Sequence, residues 1–287
     1  MKILLLTLIV MSFLFGCKEE EKNKPVEQLN ISFYLDLSDR IEPARNKLQA
    51  KKDIEIINQS FGIFSKRIEQ KGTFDSKDKF KVFFYPFEKN ENLIGFNKNL
   101  QFDFSSISIK EKKTLYAKMR NQLNSNLDSV YKYATSKNDF IGSDIYRFFK
   151  DELEYKCITK ETNYRNILIV LTDGYMYWKY SIDSIGNRFS YLTANSNYVR
   201  KLRSTTDLAA TITKEDYGFI NIHRNYSNLE ILVLEINPIE EYPQDFDLIK
   251  LLWSKWFIEM GVKKFDIIKS TDIATERNII KNFIEGK

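Results

Sequence analysis

Histidine occurs once in this chain of 287 residues, at His223, and cysteine twice, at Cys17 and Cys157. A single histidine makes a His-based zinc site or a Ser-His-Asp triad hard to assemble. Cys17 sits at the end of a leader-like segment, so Cys157 is the one cysteine left for the folded part. No internal disulfide can form, even in an oxidising compartment. Cys157 is therefore expected to be a small buried apolar residue. Charge of one sign is also scarce: 44 basic against 39 acidic residues give a formal net charge of +5. The basic residues are dispersed, which is no footprint for nucleic acid. There is no internal repeat and no low-complexity linker, so one large α/β domain is expected.

The one long apolar run lies at the start. Lys2 is followed by almost entirely apolar residues from Ile3 to Phe15, then Gly16 and Cys17. A basic start, a short apolar stretch and a small residue at the cut describe a secretory signal, too short for a good membrane span. Leu14-Phe15-Gly16-Cys17 resembles the lipobox of bacterial lipoproteins. That resemblance implies removal of residues 1–16, lipidation of Cys17 and attachment to a membrane of the cell envelope, expected to be the outer membrane. Each buried acyl methylene contributes about 0.8 kcal/mol, so several chains would anchor the protein firmly. Lys18-Glu19-Glu20-Glu21 continues a charged tether over 17–29. An acidic cluster at this place resembles a surface-export signal of some Gram-negative lipoproteins; periplasmic and outward-facing locations both remain open.

Beyond the tether the pattern alternates. Residues 31–36 read as a strand. Ile54, Ile57, Phe61, Phe64 and Ile68 recur at helical spacing, stopped by Gly72. Residues 80–87 read as a second strand, and Asn90-Glu91-Asn92 as a turn into 93–96, which predicts an edge hairpin. Leu115 to Ala134 carry one long helical stripe, and Ile145, Phe148, Phe149 and Leu153 another. Residues 167–172 and 229–236 are continuous apolar strands, as in a parallel sheet covered on both faces. Trp253 and Trp256 lie on a core-facing helical stripe, and the last strand and helix follow. The expected fold is α/β: a doubly wound, mostly parallel, three-layer sheet with helices on both faces. Residues 175–228, polar and tyrosine-rich, read as an insertion beside the site.

The residues that carry chemistry sit at strand ends. Asp36-Leu37-Ser38-Asp39-Arg40 follows the first strand, and Leu171-Thr172-Asp173-Gly174 ends a buried-type strand. Gly142-Ser143-Asp144-Ile145 places a hydroxyl just before a helix. Sites in doubly wound sheets form beyond the carboxyl ends of the strands, where Asp36 and Asp173 both fall. These oxygens suit a hard cation such as Mg²⁺. For Ser38, Asp39 and Ser143 the alternative role is to cap a helix start, with no metal.

Taken in order, the three segments resemble the von Willebrand factor A (VWA, or integrin I-type) family. Asp36 and Ser38 match the first two positions of its D-x-S-x-S loop, Ser143 stands for its threonine, and the L-T-D-G stretch is intact. The resemblance implies a metal-ion-dependent adhesion site with Asp36, Ser38, Ser143 and Asp173 holding Mg²⁺, Mn²⁺ or Ca²⁺. It also implies a protein partner whose carboxylate completes the coordination. Arg40 replaces the motif's second serine, which removes one oxygen and brings a fixed cation. Arg40 is expected to pair with Asp39 or Asp144, or to stand in for the metal's charge. Asp39, Arg40, Asp144, Tyr175, Tyr177 and Trp178 are the candidate partner contacts.

The reading that follows is a lipid-anchored, non-enzymatic binding protein of the envelope. An Mg²⁺-dependent phosphohydrolase with Asp36 as nucleophile is the alternative, although Ser38 stands where such enzymes want a second aspartate. A structural envelope protein with a vestigial metal site is the third.

Overall fold

The computed structural model describes residues 26–86, 91–136 and 143–287. The expected signal peptide, Cys17, most of the tether and Gly142 lie outside the described residues. The first half contains β1 (Gln28–Leu35), α1 (Gln49–Lys71), β2 (Lys79–Phe83), α2 (Glu91–Asn99), β3 (Gln101–Asp103) and α3 (Ile109–Thr135). Next come α4 (Ile145–Arg147), a π-helical turn (Phe148–Glu152), α5 (Leu153–Cys157) and β4 (Tyr164–Leu171). The insertion holds β5 (Ser184–Ile185), β6 (Arg188–Phe189), α6 (Asn197–Arg203), α7 (Leu208–Lys214) and β7 (Gly218–Phe219). The chain then completes the main sheet with β8 (Leu229–Ile236), α8 (Asp245–Glu259), β9 (Lys264–Lys269) and α9 (Ile273–Glu285).

The main sheet has the order β3-β2-β1-β4-β8-β9. All neighbours run parallel except β3, which is antiparallel to β2. This is the doubly wound, three-layer architecture. The strand order reverses between β1 and β4, so a crevice is expected beyond their carboxyl ends. Residue alternation along β1 sends Ile31, Phe33 and Leu35 to one face, against α1, α3 and α9, and Tyr34 to the other. On the second face Trp253 and Trp256 are fully buried beside Phe149 and Phe257. Cys157 is also fully buried there, where burial pushes its thiol up to about 11.

Asn30 and Asn166 are register partners across β1 and β4. The Asn30 amide donates to Asn166 Oδ1 (2.9 Å) and to the Cys157 carbonyl (2.8 Å). A one-residue slip would bury these amides without partners, so the pair helps fix the register that aligns the two strand ends.

The edge hairpin forms differently from expectation. Residues 93–96 lie within helix α2, and the antiparallel edge strand is β3. Glu91 in the first turn of α2 and Lys98 in the last suit the helix dipole, which favours a helix over the expected turn. The insertion is ordered: β5, β6 and β7 form a second sheet. It docks on α8 through Phe219 against Trp256, with ring centroids 5.1 Å apart, and through Arg188, which bonds Asp216 and Glu259.

Candidate functional site

The candidate residues at the ends of β1 and β4 immediately follow those strands. Asp36 is buried, and both of its carboxylate oxygens are engaged. Oδ1 accepts the Ser38 backbone N–H at 3.0 Å, and Oδ2 accepts the Thr172 hydroxyl at 2.7 Å. Thr172 thus ties the two strand ends together. Its hydroxyl also accepts the Gly174 N–H at 3.1 Å, which shapes the loop that carries Asp173. Asp173 keeps partial contact with solvent. Desolvation, helped by the nearby charge of Asp36, pushes its carboxyl up to about 8.

Neither candidate serine serves as a helix cap. Ser38 precedes the Asp39–Ile41 turn of 3-10 helix without a side-chain cap bond. Ser143 shares a 3.0 Å hydrogen bond with the Tyr34 hydroxyl, which also donates to the Tyr85 carbonyl at 3.2 Å. The cap of α4 is Asp144, which accepts the Arg147 N–H at 3.0 Å. Burial pushes the Asp144 carboxyl up to about 6. Asp144 is therefore a buried structural residue rather than the surface contact expected for it.

Arg40 is likewise buried, and its expected pairing is corrected. Its guanidinium pairs with Asp53 on α1, and its Nε donates to the Asp36 carbonyl at 2.9 Å. Asp39 is exposed and pairs with Arg45 instead, at 2.7 Å. Asp53 also accepts the Tyr131 hydroxyl (2.7 Å) and the Gln49 amide (2.8 Å). The cation introduced by the motif's departure is thus drawn under the loop into a buried network.

That network extends to a second carboxylate pair. Gln49 donates to Glu235 at 2.8 Å, and Lys52 reaches Glu235 at 2.7 Å and Glu276 at 3.0 Å. Glu235 has φ of +73°, a strained conformation for a non-glycine residue, where the β8–β9 register shifts. Burial and the neighbouring Glu235 carboxylate push Glu276 up to about 8. Against the opposing effect of burial, hydrogen bonds from Glu276, Lys52 and Gln49 hold Glu235 below its usual range. One proton held between the two carboxyls accounts for these opposite directions.

The folded state binds this proton more tightly than the unfolded chain, in which Glu276 has its ordinary value of 4.5. The Glu276 contribution to stability is therefore full below about 4.5 and is lost as pH rises through about 8, whereas that of Glu235, held low, is lost only as pH falls below its ordinary value of 4.5. Unfolding midpoints taken across this window are expected to fall with pH by more in the wild type than in Glu276→Gln, which keeps a donor without titrating. Equal slopes would refute the shared proton.

Of the expected aromatic contacts, Tyr175 is tied inward: its hydroxyl donates to Asp245 at 3.0 Å, beside the buried Arg203–Asp245 pair. Tyr177 is 52% exposed and its backbone bridges to Ser143. Trp178 is half-buried and meets the 74% exposed Tyr180 at 5.7 Å. These rings follow the Asp173 loop directly.

Oxygen donors of the kind a hard cation takes are gathered here, although both Asp36 oxygens and the Ser143 hydroxyl already have partners. Two carboxylates lie close enough to repel, the Ser38 hydroxyl is not spent on capping, and Arg40 is bound elsewhere. No group of three or more His, Cys, Asp or Glu side chains that could hold a metal exists among the described residues. Hydroxyls and water would therefore complete any coordination, as Mg²⁺ tolerates well.

No protein-family model matches the sequence, and no curated protein matches it. Among solved structures the chain is similar to two forms of the pilus adhesin SpaC from Lactobacillus rhamnosus GG, one in an open conformation. Each aligns at 11% identity with a TM-score of 0.40, covering 92% of this chain and 30% of the adhesin. The chain thus spans less than a third of that protein's length, and so distant a likeness leaves function to be argued from the residues themselves.

Proposed function

We propose that this protein is a lipid-anchored binding protein of the bacterial envelope. Its VWA-like face, at the ends of β1 and β4, holds a protein partner in a manner dependent on a divalent cation. The observation that carries the reading is the convergence of Asp36 and Asp173 at the point where strand order reverses, joined by Thr172. Asp36, Ser38, Ser143 and Asp173 would hold the cation, which would supply an electrophilic point for a partner carboxylate. Tyr177, Trp178 and Tyr180 supply apolar area nearby, as interface anchors do. The Asp36 carboxylate is buried with both oxygens bonded, which favours binding over nucleophilic attack. No helix among the described residues is long and apolar enough to cross a membrane, so membrane attachment in this reading rests on Cys17.

Thermal unfolding of residues 24–287 with EDTA, Mg²⁺, Mn²⁺ or Ca²⁺ tests the face. A ligand at one hundred times its Kd stabilises the folded state by about 2.7 kcal/mol, so a dose-dependent rise in Tm is expected. The rise should vanish in both Asp36→Ala and Asp173→Ala. A folded wild type whose Tm ignores all three ions would remove the metal from the reading.

A further inference from the structure

A cleft of about 640 Å³ opens in the insertion, within the size range of small-ligand sites. It is separate from the Asp36 face yet connected to it by backbone pairing. Ser143 bridges to Tyr177, and Met176 bridges to Leu192. Tyr191 and Thr193, on either side of Leu192, line the cleft.

One wall is aromatic and held in place. Phe189 and Tyr198 stack with centroids 3.8 Å apart and planes at 8°. Tyr191 meets both edge-on, at 5.6 and 5.9 Å. The Tyr198 hydroxyl donates to the Tyr191 carbonyl at 2.5 Å, which locks the cluster. Ordering these rings is already complete before a ligand arrives, so little entropy remains to be lost on binding.

The polar groups of the lining are neutral. Lys201 is its one charged side chain, and that charge is matched by Glu215 at 2.8 Å, with the Tyr217 ring 5.2 Å away. Ser196 and Asn197 spend their side chains locally, on the Thr193 carbonyl and on Arg200. The Tyr191 hydroxyl, the Thr193 hydroxyl and the Asn195 amide have no hydrogen-bond partner among the described residues. They offer donors and acceptors beside a ring cluster.

These features select a ligand class. A phosphate or carboxylate would lose water without gaining a free cation. An extended peptide commonly adds to an open strand edge, but β6, which contributes Phe189, already has β5 and β7 on its two sides. A sugar fits both halves of the wall. Its C–H face carries slight positive charge and suits the negative face of an aromatic ring, while its hydroxyls exchange donors and acceptors with amides and hydroxyls. We propose that this cleft binds a neutral oligosaccharide, with a sugar ring against the aromatic cluster and its hydroxyls bonded to Tyr191, Thr193 and Asn195.

Titration calorimetry of the mature chain with neutral hexasaccharides of glucose, mannose and N-acetylglucosamine tests this. At least one is expected to bind saturably with Kd at or below about 1 mM. Asn195→Ala, at an exposed position that should not affect folding, is expected to weaken that binding about tenfold, equivalent to about 1.4 kcal/mol. Tyr191→Ala should abolish it, while Asp36→Ala and EDTA leave it unchanged, which separates this site from the metal face. The proposal is overturned if none of the three sugars binds at that level. It is also overturned if Asn195→Ala and Tyr191→Ala bind as the wild type does, or if only uronic or sulfated oligosaccharides bind.

Discussion

Asp53→Ala is expected to lower the unfolding midpoint on the order of 10 °C, the largest effect of any single polar substitution near the candidate site. The side chains of Arg40 and Asp53 are 4% and 0% exposed. Alanine at 53 would leave the Arg40 guanidinium end and the Tyr131 hydroxyl without their partner, while the Gln49 amide would keep only Glu235. Breaking a buried pair by removing one partner costs about 3–5 kcal/mol, because the remaining charge loses its bonded counter-ion without regaining water; for Arg40 the charges of Asp36 and Asp173 offset part of this. The double change Arg40→Met with Asp53→Leu removes both charges and roughly conserves volume. It should be less destabilised than Asp53→Ala alone, since apolar replacement of a buried pair is often close to neutral. Urea titrations of the three proteins decide the matter. A cost below about 1 kcal/mol for Asp53→Ala would show that Arg40 finds water without Asp53.

Gly174→Ala should be nearly as damaging, and at the site itself. Gly174 has φ of +97°, which L side chains rarely adopt. A Cβ there would lie 2.7 Å from Ile249 Cγ2 and 2.9 Å from Ile236 Cδ1. Backbone strain of about 1–3 kcal/mol adds to an overpacking cost of about 1–3 kcal/mol. The Gly174 carbonyl also accepts the Trp253 indole N–H at 3.0 Å, so relief by moving the loop would break that buried bond. The variant is expected to unfold at lower temperature and to lose any stabilisation by divalent ions, because Asp173 moves with the loop. Tryptophan fluorescence should report the change at Trp253. An alanine variant with wild-type Tm and an intact ion response would show that Ile236 and Ile249 yield freely.

How much of this was legible beforehand depends on the range of the interactions. The placement of Asp36 and Asp173 could be read because each follows an apolar run, and a parallel sheet collects such ends along one edge. Trp253 and Trp256 declared themselves by helical spacing. Asp53 did not, although it lies on the apolar stripe of α1 with Ile57 and Phe61; a charged residue there signals a buried partner, but nothing local names Arg40. Glu235, inside the run 229–236, carries the same kind of signal, and its partner Gln49 is 186 residues away in sequence. The role of Ser143 depended on Tyr34, from a strand 109 residues earlier. The segment 93–96 departs from expectation for a different reason: its few apolar residues fit either period, and end charges suited to the helix dipole outweigh the turn-like Asn-Glu-Asn.

The direction of β1 has a consequence for how the protein presents itself. The chain enters this eight-residue strand at Gln28, at the opposite end from Asp36. At about 3.3 Å per residue the strand separates the two by roughly 26 Å. In the proposed lipid-anchored reading, Cys17 would therefore hold the sheet from its Gln28 end. Asp36 and Asp173 sit at the other end of the strands, so whatever joins the chain before Gln28 attaches far from them.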